Sequence, residues 1–305
     1  MDARFRGSSS TDRGGPASLM PSIGRTEKAR CRGMTRKQDS MRPDEVGEFY
    51  DDRGWLYEIF MGQNLHIGWW DDARPGVDPK DRLTDVLIER TPVSAGQRVL
   101  DIGCGTGHPA LRLAAATGCD VVGVTVSADQ VETAERNARE AGLGKRAEFR
   151  LADAAELPFD DDAFDAVWVV ETMMYVSDKE GALAEARRVL KPGGTLVLSD
   201  YTERTELSDQ QREALKEGFT VASLPTAEEY GRLFAKAGFT VARTTDATSH
   251  LVRSAERIER VVEEHYPTVV ERGGREFAEE FKAMISQVSV LERDHLGYTV
   301  VEATT

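Results

Sequence analysis

Three glycines at alternate positions set the strongest constraint on this chain, in Val99-Leu100-Asp101-Ile102-Gly103-Cys104-Gly105-Thr106-Gly107. The apolar run that enters them reads as a short buried strand. The alanine-rich stretch that leaves them, His108–Thr117 with Leu111 and Leu113, reads as a helix. Glycine between a strand and a helix lets the main chain turn sharply and approach a ligand closely. Such a turn also serves geometry alone, so any chemistry must be read from the spacing. A dinucleotide-binding turn carries G-x-G-x-x-G, whose third glycine packs the helix onto the strand. This one is D-x-G-x-G-x-G, with an acid two residues before the first glycine. That departure argues against a nicotinamide-dependent oxidoreductase.

The loop closely resembles the first motif of class I S-adenosylmethionine (SAM) methyltransferases, and later segments extend the resemblance in order. Asp120–Thr125 reads as a second strand, with Ser127 as N-cap of a helix to Ala141. Many of these enzymes end that strand with an acid that grips the ribose, where this chain has Thr125 and, five residues on, Gln130. Gly123–Gln130 is similar to the GLTLSxxQ stretch of cyclopropane fatty acid synthases, in which the Thr and Gln take over ligand contacts. Phe149–Leu151 reads as a third strand, and Asp153-Ala154 after it resembles the adenine-binding motif. Phe164–Val169 is the expected fourth strand, and Leu190–Leu196 the turn into a fifth. The resemblance implies SAM as cofactor, S-adenosylhomocysteine as product, and a Rossmann-like α/β sheet, mostly parallel with an antiparallel last strand. It also implies cofactor contacts from Asp101, Gly103, Cys104, Gly105, Gly107, Thr125, Gln130, Asp153, Ala154 and Glu171. Cys104 itself reads as a small packing residue.

Residues 1–42 differ from the rest. They carry ten Lys/Arg against four acids, lack any apolar period, and read as a disordered basic extension. A transit peptide or a polybasic arm stays open as a reading of the same residues. With a net charge of −14 for the whole chain, the remainder carries −20, which disfavours a nucleic-acid binder. Nothing approaches 18 consecutive apolar residues, so no membrane span is expected. Cys31, Cys104 and Cys119 lack metal-ligand spacing and suggest a reducing, cytoplasmic compartment.

The methyltransferase domain is expected over 43–305, opening with a helix at Asp44–Tyr57 and an aromatic flap that reaches residue 75. Gly62–Trp70 in that flap resembles the G-x-N-x-H-x-G-Y-W stretch of the group containing rebeccamycin sugar O-methyltransferase and tocopherol methyltransferases. The likeness implies that Tyr50, Gln63, Asn64 and His66 lie near the ligand. Subunit pairing through the first helix is a further expectation. Asp81–Arg90 reads as a helix leading to the first strand. Helices at Ser208–Ala222 and Thr226–Ala237, with Ser and Thr caps, precede a sixth strand near Gly238–Val241. Others near Ser254–Glu264 and Arg275–Leu291 precede a last strand at Tyr298–Ala303. Helical cap insertions are expected over about 204–237 and 254–293, roofing a pocket for a small hydrophobic substrate.

Methyl transfer from SAM needs alignment and exclusion of water more than it needs a metal. His66, His108, His250, His265 and His295 form no ligand-spaced cluster with the acids, so no metal site is expected. In the rebeccamycin-type group the loop after strand four carries two histidines, where this chain has Met174 and Tyr175. An electron-rich alkene attacks without prior deprotonation, and aromatic faces and polarizable Met suit the resulting carbocation. Met173, Met174, Tyr175, Tyr201, Trp69 and His66 are the expected substrate pocket, with Tyr201, Tyr175, Glu171 and His66 as catalytic candidates. The resemblance also reaches sterol and terpenoid C-methyltransferases, including those whose product cyclises, as in teleocidin-type indole terpenoids. C-methylation of a prenyl or terpenoid alkene is the leading expectation. O- or N-methylation of a glycoside, phenol or alkaloid stays open, with His66, Glu171 or Asp200 as base. A non-catalytic SAM-fold binding protein is the alternative of another class.

Overall fold

The computed structural model describes residues 64, 66–74, 76–221 and 223–305. The basic extension, the helix expected at 44–57 with the subunit pairing assigned to it, Tyr50 and Gln63 all lie outside the described residues. All described residues belong to one compact unit, Gln38–Thr305.

Seven strands form one sheet in the order β3-β2-β1-β4-β5-β7-β6. They are β1 (Arg98–Ile102), β2 (Asp120–Thr125), β3 (Ala147–Leu151), β4 (Phe164–Val170), β5 (Leu190–Glu203), β6 (Thr240–Asp246) and β7 (Leu296–Thr304). The first five run parallel, and β7 lies antiparallel between β5 and β6. The chain steps outward from β1 to β3 and then returns to β4 on the other side of β1. That reversal opens a crevice at the carboxyl ends of β1 and β4, where open α/β sheets bind ligands.

Alternation along the strands splits the core into two layers. Val99, Val121, Trp168, Val197 and Tyr298 face α1 (Pro79–Glu89), α2 (His108–Thr117) and α3 (Ala128–Glu140), together with Leu215, Leu251 and Leu291 from later helices. Leu100, Val122, Val167, Leu196 and Val301 face α4 (Lys179–Val189) and α6 (Ala227–Lys236). Strands buried on both faces in this way read as continuous apolar runs, which is why β1, β2, β4 and β5 were legible. The expected caps are present: Ser127 accepts from Gln130 N–H, and Ser208 and Thr226 each form a full capping box.

Three of the four later helices pack together, with α8 (Arg275–Asp294) in contact with both α5 (Asp209–Phe219) and α7 (Thr248–Gly273). Gly218 in α5 is so near α8 that a Cβ would meet Val288 Cγ2 at 2.2 Å. α6 instead belongs to the layer that covers the sheet, through Tyr230 and Phe234. The helix expected near 254–264 is far longer, α7 (Thr248–Gly273), and runs through Pro267. Proline removes one helical hydrogen bond at a cost of about 3 kcal/mol. Here Val262 and Val269 pack with Ala278 of α8, flanked by Ile258, Phe281 and Ile285, and that burial offsets the defect.

Candidate active site

The glycine loop is built by geometry first. Gly103, Gly105 and Gly107 all have positive φ, at 77°, 52° and 82°. A Cβ on Gly103 would fall 2.0 Å from Thr172 Oγ1, and one on Gly107 would fall 2.7 Å from Phe149 Cζ. Gly103 N–H and Cys104 N–H donate to the Val124 carbonyl at 2.8 and 3.0 Å, tying the loop to β2. Gly103→Ala is therefore expected to cost about 2–4 kcal/mol through backbone strain and overlap with Thr172. A thermal melt equal to wild type would show that the loop relaxes freely.

A cavity of about 290 Å³ lies at the carboxyl ends of β1 to β4. Its walls include Asp101 and Gly103–Thr106 from the loop, Thr125–Ser127 and Gln130 after β2, and Ala152–Ala155 after β3. Val170–Thr172 and Tyr175–Asp178 follow β4, and His66 closes it from the N-terminal side. Asp101, Gly103, Cys104, Gly105, Thr125, Gln130, Asp153, Ala154 and Glu171 thus line one cavity from four separate loops. Gly107 stands behind them as the N-cap of α2, packed on Phe149. Thr125 Oγ1 donates to Gln130 Oε1 at 2.7 Å, so the pair forms one preset polar edge. Asp153 Oδ1 accepts from Ala155 N–H at 2.9 Å, which fixes that carboxylate on the rim of the β3 turn. Burial pushes the Cys104 thiol well up, in keeping with a packing role.

Asp101 is the anomaly. It is 2% exposed, its Oδ1 has no hydrogen-bond partner among the described residues, and burial pushes its carboxyl up to about 7. A buried acid without a partner is costly unless a donor or cation arrives. The ammonium of SAM's amino-acid tail is such a group, and the preset Thr125–Gln130 edge and the Asp153–Ala155 turn offer hydrogen-bonding groups for its ribose and adenine. The residues present fit SAM. An ammonium beside Asp101 favours the ionised carboxylate, so binding near pH 7 is expected to release a proton, with affinity rising as pH passes through 7. Titration calorimetry in buffers of different ionisation enthalpy checks this, and observed heats that are the same in every buffer would contradict it.

Glu171 ends β4 in a left-handed conformation, φ 46°, and lines the cavity. Its Oε1 accepts from Ile67 N–H and from Tyr298 Oη–H, each at 2.8 Å. Burial raises its pKa to about 8, against the opposing effect of those two donors. His66 also lines the cavity, but its ring is engaged. Nδ1 lies 2.8 Å from the Ile67 carbonyl and so carries the proton, while Nε2 lies 3.2 Å from the Thr84 hydroxyl. Burial lowers its pKa to about 4, which makes it a neutral, weakly basic wall. Asp200, the third base candidate, is fully committed: it accepts from Met174 N–H, Tyr201 N–H and Tyr230 Oη–H.

Of the expected substrate pocket, Tyr175 and His66 line this cavity, and the other four do not. Met173 and Met174 are 1% exposed and, from the hydrogen-bonded turn after β4, pack into opposite layers of the core. Tyr201 is buried, donates to Glu292 Oε1 at 3.1 Å, and sets its ring edge against Tyr298. Trp69 stacks on His250 at 4.0 Å with the Arg90 guanidinium over it. The aromatic segment is thereby stapled to α7. Gly68 N–H and the Trp70 indole N–H both donate to Ser254 Oγ at 3.0 Å, and Trp70 N–H donates to His250 Nδ1. Asn64 is buried and donates to Asp81 Oδ1 at 2.9 Å, outside the cavity wall. Sequence reasoning missed Tyr298 and Glu292. Their only signal was the pairing of the last two long strands, which puts Tyr298 opposite Tyr201.

Among the described residues no group of His, Cys, Asp and Glu could hold a metal ion, and no helix is long and apolar enough to cross a membrane.

Comparison with known proteins agrees with this geometry. A methyltransferase domain family matches residues 93–238. The chain is 38% identical over 236 residues to methyltransferase GfsG of Streptomyces halstedii, covering 75% of this chain and 84% of that protein. It is 33% identical over 270 residues to 27-O-demethylrifamycin SV methyltransferase of Amycolatopsis mediterranei, covering 86% and 97%. Among solved structures, the 4+2 cyclase SpnF is similar with a TM-score of 0.76 and 31% identity, covering 88% of this chain and 97% of that one.

Proposed function

We propose that this chain, which belongs to the SAM-dependent small-molecule methyltransferases, methylates a hydroxyl of a hydrophobic natural product with Glu171 as general base. The observation that carries the reading is the half-buried Glu171 carboxyl, which lines the cavity with Oε2 bonded to no described residue. When bound, SAM supplies a methyl group activated by a positively charged sulfur. Asp101 would hold its amino-acid tail, Thr125 and Gln130 its ribose, and Asp153 with Ala154 its adenine. Glu171 Oε2 takes the hydroxyl proton while the acceptor oxygen gains the methyl carbon, so no alkoxide forms in advance. The apolar packing behind Tyr175 and the stapled aromatic segment would keep water from that step. The relative named for 27-O-demethylrifamycin SV supports oxygen as the methylated atom.

The Tyr175 ring on the cavity wall favours a second reading, C-methylation of a prenyl or terpenoid alkene. There a ring face would steady the carbocation, and Glu171 would remove a proton from the adjacent carbon. The likeness to a protein named as a cyclase makes ring closure a further outcome of that reading. Trideuteromethyl-SAM with a panel of hydroxylated polyketides and prenylated indoles separates the two. Label on oxygen, located by NMR of the product, is expected. Label on a prenyl carbon would establish the second reading instead, and no label in any acceptor would overturn both.

A further inference from the structure

We infer that Tyr298 is a positioning residue that holds Glu171 with Oε2 turned to the cavity. The inference rests on the reading of Glu171 as base. Tyr298 lies on β7, 127 residues from Glu171, yet its hydroxyl donates to Glu171 Oε1 at 2.8 Å. Ile67 N–H, from the segment before α1, donates to the same oxygen at 2.8 Å. Two donors on one oxygen leave that oxygen without its own proton, so the exchangeable proton of the carboxyl belongs to Oε2. No described residue bonds Oε2, and it is not shut away in the core. The base is thus set in one rotamer, with its reactive oxygen chosen by the two donors.

Tyr298 is itself held rigidly. It is 1% exposed, its N–H donates to Thr248 Oγ1 at 3.2 Å, and it is the register partner of Tyr201 across β5 and β7. The two rings meet edge to face at 5.5 Å, and the Tyr201 hydroxyl is anchored on Glu292. A phenol fixed this way cannot follow the carboxyl if the carboxyl rotates. The other titratable groups around Glu171 are Asp200 and Tyr201 on β5, Glu292 on α8, Lys80 on α1 and His66 before α1. The Asp200 and Glu292 carboxyls oppose its ionisation and Lys80 favours it. Tyr298 donates to the ionised form, so its loss must raise the Glu171 pKa further.

Tyr298→Phe keeps the ring and its packing and removes only the donor. The acid limb of kcat is expected to move up by about one pH unit, a loss of about tenfold at pH 7 that recovers above about pH 9.5. The KM for SAM should stay at the wild-type value. Carbon-13 NMR of the labelled Glu171 carboxyl, in protein without SAM, should report the same upward shift. Tyr230→Phe is the control, since it strips an equally buried phenol from Asp200 on the far face of the sheet. Its acid limb is expected to stay in place. An unmoved Glu171 pKa in Tyr298→Phe, with activity lowered by the same factor at every pH, would overturn the inference. Wild-type kcat in Glu171→Gln would instead remove the base reading, while the NMR titration still decides whether Tyr298 sets the carboxyl.

Discussion

Asp101→Ala is expected to weaken SAM binding by at least about a hundredfold while leaving the unliganded protein no less stable than wild type. The two halves share one cause. Asp101 is buried, its Oδ1 has no partner among the described residues, and burial alone raises its pKa from 3.8 to about 7. A native carboxyl whose pKa is raised binds protons that the unfolded chain has already lost. Its contribution therefore falls as pH rises from about 4 and reaches its full cost above about 7, on the order of 4 kcal/mol. Alanine removes that penalty and leaves a small void in exchange. The same carboxylate becomes favourable when an ammonium sits beside it, because a charge-assisted hydrogen bond is roughly twice as strong as a neutral one. Calorimetry with SAM and a melt at pH 8 measure both effects. A dissociation constant within threefold of wild type would remove Asp101 from the cofactor site.

The second large effect is on turnover. Glu171→Gln keeps the shape and the acceptor oxygen for Ile67 N–H and Tyr298 Oη–H but cannot take a proton. General base catalysis by a positioned side chain is worth roughly 10²- to 10⁴-fold, and kcat should fall by that factor with SAM affinity little changed. Wild-type activity should rise with pH toward about 8, because the carboxyl acts only when ionised and burial holds it up there. The glutamine variant should lose that limb. A variant with full kcat and an unchanged pH profile would mean that the reaction needs no base here, as an alkene acceptor allows for its first step.

The sheet and the cofactor side of the site were readable in the sequence because each depends on local pattern. Apolar runs mark β1, β2, β4 and β5, hydroxyl caps mark α3, α5 and α6, and Asp101, Thr125, Asp153 and Glu171 all sit where a strand ends. Parallel order then brings those ends to one edge with no further information. The acceptor side was not readable, because it depends on pairing between distant segments. Tyr201 was visible as a tyrosine at a strand end, but its partner Tyr298 is fixed by β5–β7 register and its anchor Glu292 by the packing of α8. Met173 and Met174 looked like pocket residues by chemistry, yet the turn after β4 sends Met173 into one core layer and Met174 into the other. Trp69 was legible as part of an aromatic flap but not as a ring stacked on His250, 181 residues later. The helix expected near Ser254–Glu264 runs on through Pro267 because packing between α7 and α8 carries it.

Hydrogen–deuterium exchange of the full chain with and without S-adenosylhomocysteine tests the central assignment most directly. The loops that form the cavity should be protected together: 101–107 after β1, 125–130 after β2, 153–155 after β3 and 170–178 after β4. The distal hairpin of α7 and α8, around 262–281, should not change. Unaltered exchange in the four loops at saturating ligand, or protection confined to the distal hairpin, would contradict the account.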